Sequence, residues 1–99
     1  MKNETYRELL TRFNENFEGI HRVLVAFEVQ NYLQSFEIKL SEEDFENLCE
    51  TIYWIHIKSE GYTIEDIVST VTNMFIYEKI PLEDIDRYDV FEAIDNRYL

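Results

Sequence analysis

The chain has 99 residues, 45% hydrophobic and 15% aromatic, with a net charge of −12. That apolar content excludes a disordered chain, and the length suits a single domain over 1–99. The sign of the charge argues against direct binding to nucleic acid or to an anionic membrane, and favours a basic protein surface as partner. A single cysteine, Cys49, excludes an internal disulfide framework. No apolar run approaches the ~18 residues of a membrane span and no signal-peptide pattern precedes the first helix, so the expected location is cytoplasmic.

Two glycines and one proline favour long regular elements. In TYRELLTRFNENFEG, Tyr6, Leu9, Leu10, Phe13 and Phe17 recur at helical spacing. Thr5 with Glu8 forms a capping box, and Gly19 is expected to end the helix. The run from Ile20 to Leu40 is ambiguous. Val23, Val25, Phe27 and Val29 alternate as in a strand, whereas Ile20, Val23, Phe27 and Leu33 suit a helix. Its length predicts a buried central helix, with a short strand pair within 23–40 as the alternative.

A third helix is expected to start at Ser41–Asp44, with Gly61 just past its end. Phe45, Leu48, Cys49, Ile52 and His56 share its core face. The next is capped by Thr63 with Asp66 and carries an apolar stripe through Ile64, Ile67, Val68, Val71, Met74 and Phe75. Pro81 suits the first position of a further helical turn, and Asp89 with Glu92 is expected to cap a last helix bearing Val90, Phe91, Ile94 and Tyr98. The fold class that follows is all-α, a bundle of four or five helices.

Candidate chemistry is sparse. Glu18 and His21 have the Glu-x-x-His spacing of helical di-iron sites, but those need two copies and further carboxylates. His56 lies on an apolar face, where a core histidine is the simpler reading. Asp84, Asp86 and Asp89 suggest a calcium loop, yet the glycine at its sixth position is missing. Cys49 sits in a core stripe and reads as a buried, inert thiol. There is no glycine-rich phosphate cradle. The expectation is a protein with no catalytic residues, no metal and no cofactor.

The charge is uneven. Residues 1–40 hold six acids and five bases, whereas residues 41–99 hold fifteen acids and four bases. The stretch SEEDFENLCE alone carries five carboxylates. Glu42, Glu43 and Asp44 in a first helical turn face the positive end of the helix dipole, as do Glu65 and Asp66, and Glu83 and Asp84, in theirs. Glu46 and Glu50 have no such reason. With Glu42 they form an i, i+4, i+8 row, spacing charge about 6 Å apart along the axis. Nucleic acid carries one phosphate per about 3.4 Å per strand, so such a row can stand in for a phosphate backbone.

Trp54 lies opposite Phe45. Exposed, it would make an aromatic anchor in a charged rim. The neighbouring apolar residues Tyr53, Ile55 and Ile57 favour burial instead.

In size, acidity and lack of catalytic residues the chain resembles small phage-type inhibitors that mimic nucleic acid, anti-CRISPR proteins among them. The resemblance covers composition and no motif. It implies a non-catalytic inhibitor blocking the nucleic-acid-binding surface of a basic protein such as a nuclease. The residues expected to bind are Glu42, Glu43, Glu46, Glu50, Trp54, Glu65, Asp66, Asp84, Asp86 and Asp89. The competing expectation is a helical adaptor or regulatory subunit that docks through an apolar surface or forms a homodimer, its acidity serving only solubility.

Overall fold

The computed structural model describes residues 17–98, with side chains from residue 19 onward. The helix expected from Thr5 lies almost entirely outside that range. Within it the chain forms α1 (Phe17–Ser35), α2 (Glu42–Ile57), α3 (Ile64–Ile76), a single 3₁₀ turn (Leu82–Asp84) and α4 (Arg87–Arg97). There is no strand among the described residues, so the all-α expectation holds and the strand alternative for 23–40 does not.

Burial along α1 explains why. A strand would place Val23, Val25, Phe27 and Val29 on one face. Instead the three valines are buried with Ala26 and Leu33, while Phe27 is 43% exposed. The expectation that Gly19 ends a helix is wrong, because Gly19 lies within α1. A helical glycine costs only about 1 kcal/mol, less than the apolar face that follows it gains by burial.

The actual stop of α1 carries no glycine. Glu37 adopts the left-handed conformation at φ 55°. Its N–H donates to the Gln34 carbonyl at 3.2 Å, and the Ile38 N–H donates to the Leu33 carbonyl at 2.8 Å. This is a Schellman turn, with Ile38 folded back onto the core beside Leu33. A side chain at this φ is strained where glycine is not. Glu37→Gly should therefore raise stability by about 0.5–1 kcal/mol, read as a higher urea midpoint with unchanged m-value.

Ser41 starts α2 as expected, its hydroxyl accepting from the Asp44 N–H at 3.1 Å. Phe45, Leu48, Ile52, Tyr53 and Ile55 are buried, so α2 presents apolar surface to several neighbours. It packs on α1, on α3 and on the 3₁₀ turn. Thr63 caps α3 in the same way, accepting from the Asp66 N–H at 3.1 Å. Ile67, Val68, Val71 and Met74 of α3 are buried, and Thr72 buries a hydroxyl that has no hydrogen-bond partner.

After α3 a second left-handed residue, Lys79 at φ 57°, turns the chain. Pro81 precedes the 3₁₀ turn as its cap rather than occupying its first position. The expected Asp89 cap of the last helix is also corrected. Asp86 is the cap, its Oδ1 accepting from the Tyr88 N–H at 2.8 Å, and Asp89 sits in the first turn. Val90 and Ile94 seat α4 against α3. The start of α2 lies beside the end of α3, where Asp44 and Asn47 share a groove with Phe75.

Candidate functional site

The Ser41 cap fixes where α2 begins, and so which way its acids point. Glu42, Glu43 and Glu46 are all exposed on its first two turns. Asp44 is partly covered and faces the 3₁₀ turn. Asp44, Asn47, Glu50 and Thr51 of α2 form one wall of a groove of about 440 Å³, with Glu83 on the far rim. Phe75, Pro81 and Leu82 complete its lining, which among the described residues contains three carboxylates and no lysine or arginine. The fold thus brings Glu83, an acid from beyond α3, to the face of α2 that carries Asp44, Asn47 and Thr51.

Glu50 differs from the rest of the row. Arg22 of α1 meets it with both guanidinium nitrogens, at 2.5 and 3.1 Å. The Trp54 indole N–H donates to its Oε2 at 2.7 Å. The Arg22 guanidinium lies 4.1 Å from the centre of the Tyr53 ring, a cation–π contact. The i, i+4 repulsion between Glu46 and Glu50 is therefore relieved by a cation from another helix. No sequence signal marks Arg22 for this, because it belongs to the charge-balanced first forty residues. The exposed remainder of the row is Glu42, Glu43 and Glu46.

Trp54 is 47% exposed, against the burial its neighbours favoured. Tyr53 and Ile55 are buried and Ile57 is exposed, so the apolar run at the end of α2 is divided between two faces. An aromatic ring therefore stands at the outer edge of the Glu50–Arg22 pair.

The other expected residues divide by position. Asp84 and Asp89 are exposed around the connection into α4, while Asp86 is engaged as its cap. Glu65 is exposed at the start of α3, at the opposite end of that helix from the groove. Asp66 beside it accepts from the Tyr98 hydroxyl at 2.9 and 3.1 Å. Glu65 and Asp66 therefore do not share a face with Glu46.

Cys49 is largely covered, packed against the core. Burial, and then the carboxylates of Glu46 and Glu50, push its thiol up to about 12. It is held as the neutral thiol at physiological pH and is no nucleophile there. The two histidines, 35 residues apart in sequence, meet side chain to side chain. Among the described residues no group of three or more His, Cys, Asp or Glu is arranged to hold a metal ion, and no helix is long and apolar enough to cross a membrane. Comparison of the chain with protein families, with curated proteins and with solved structures finds no match.

Proposed function

We propose that this protein is a non-catalytic acidic binding protein that covers the nucleic-acid-binding surface of a basic protein, a nuclease being the foremost case. Phage inhibitors of such enzymes, anti-CRISPR proteins included, work on this chemistry. The observation that carries the reading is the exposed acidic run Glu42, Glu43 and Glu46 on the first turns of α2, on the same helix as a groove lined by Asp44, Glu50 and Glu83 and, among the described residues, by no lysine or arginine. Two of these acids, Glu42 and Glu46, lie one helical turn apart, close to the phosphate spacing of a nucleic-acid strand within a factor of two. The half-exposed Trp54 supplies an aromatic contact further along the same helix, beside Glu50.

A second reading has its own observation. A groove of about 630 Å³ opens at the α1–α2 corner, where Leu33, Ile38, Leu40 and Phe45 give it an apolar floor. It suits an adaptor that receives an apolar side chain of a partner.

The two readings differ in their response to salt and to nucleic acid. The test is binding to a panel of basic nucleic-acid-binding proteins, nucleases included, with duplex DNA as competitor. A mimic should be displaced by DNA, and its affinity should fall at least about tenfold between roughly 50 and 300 mM salt. Binding that is flat in salt and unaffected by DNA would replace mimicry with apolar docking.

A further inference from the structure

His21 and His56 are the only imidazoles in the chain, 35 residues apart. They meet across the α1–α2 seam with His21 Nε2 at 2.7 Å from His56 Nδ1. The rings stand nearly perpendicular, 4.8 Å between centres, and the His21 ring also lies 4.7 Å from that of Tyr53. Both are half-buried.

A nitrogen-to-nitrogen contact of this length needs one N–H and one lone pair. Either ring can supply the N–H, and the Tyr62 backbone favours the protonated form of His56 against the effect of burial. The contact tolerates two neutral rings, but not two charged ones, because both facing nitrogens would then carry protons. We propose that the His21–His56 contact is an acid-sensitive release, in which full protonation of the pair breaks the bond and frees this end of α1 from α2.

The surroundings act in the same direction. The charge next to His21 is cationic, from Arg22 on its own helix. On the α2 side the facing groups are the Tyr53 ring and Glu50, already engaged by Arg22. The Tyr62 backbone faces His56 from the α2–α3 connection. Burial first, then His56 and Arg22, hold the His21 imidazolium below its ordinary value, and burial does the same at His56 against the Tyr62 bond. The unfolded chain takes up these protons near 6.5 and the folded chain only at lower pH. Between the two the unfolded state binds more protons, so stability falls as pH drops below that value. Release at this end also disturbs the Arg22–Glu50 pair, one residue along the same turn of α1 and beside Trp54.

The experiment is a histidine side-chain NMR titration of the wild-type protein, paired with urea unfolding of wild type and His56→Gln at about pH 7 and pH 5. The two rings should titrate in separated steps, at least one of them well below the ordinary value. The wild-type unfolding constant should rise about 20-fold more than that of the variant over this interval, the effect of one proton excluded from the folded state. Subtracting the variant removes the carboxylate contribution. If His56→Gln does not fold, the titration alone decides. Two independent single-site curves at the ordinary value would overturn the proposal, as would parallel pH dependence of the two proteins. Loss of stability on adding a chelator at neutral pH would overturn it too, since the pair would then be holding a metal ion.

Discussion

Ile52→Ala should cost the fold about 3–4 kcal/mol, a large share of the 5–15 kcal/mol that a domain of this size commands. Ile52 is completely buried at the middle of α2. That helix contacts α1, α3 and the 3₁₀ turn, so a cavity there has backbone on several sides and little freedom to collapse. The corresponding drop in melting temperature is about 12–30 °C. Urea unfolding followed by circular dichroism and by the single tryptophan, Trp54, checks the number. A loss below about 1 kcal/mol would mean that α2 is not the centre of the core.

Glu43→Lys with Glu46→Lys should weaken binding to a basic partner by about 100-fold while leaving the fold intact. Both side chains are exposed, and the lysine at position 46 gains an i, i+4 attraction to Glu50. The lysine at 43 loses about 0.3–1 kcal/mol against the helix dipole, which helical content and urea midpoint would register separately. Glu50 is the wrong residue for this experiment, because reversing it would place a cation against Arg22. The control is Glu60→Lys with Glu92→Lys, exposed acids away from the groove that change the net charge by the same amount. Equal weakening by both pairs would make the effect one of overall charge. No weakening by either would favour the apolar groove at the α1–α2 corner.

Much of this architecture is legible in the sequence because caps are local. Ser41 and Thr63 each satisfy an N–H three residues on, and both helices begin where those residues stand. Helix ends were less legible for a physical reason. The stops at Glu37 and Lys79 use left-handed residues that are not glycine, held there by the fold of the next segment onto the core. Of the two glycines read as stops, Gly19 is inside a helix, whereas Gly61, at φ 94°, lies beyond the end of α2 at Ile57. Asp86 and Asp89 are both plausible caps by type, and only the packing of Val90 and Ile94 on α3 decides between them.

For the site, the acidic row on α2 could be found from spacing alone. What spacing could not supply was the division within it. Glu50 is held by Arg22, twenty-eight residues away and on another helix, while Glu83 arrives at the groove from beyond α3. Trp54 is exposed although its apolar neighbours suggest a wholly buried turn, because a helix rotates successive residues by about 100° and splits such a run between faces. The His21–His56 meeting likewise depends on the antiparallel register of α1 and α2.

The order of the helices has a kinetic consequence. Each described helix packs on the next through a connection of ten residues or fewer, and α1 with α3 is the main pairing that skips a neighbour. Contacts between close segments lose little chain entropy before they form, and helical domains of low contact order fold in microseconds to milliseconds. Refolding of this chain should fall in that range. Its one X–Pro bond, Ile80–Pro81, is trans, so unfolded molecules that have isomerised there would add only a minor slow phase.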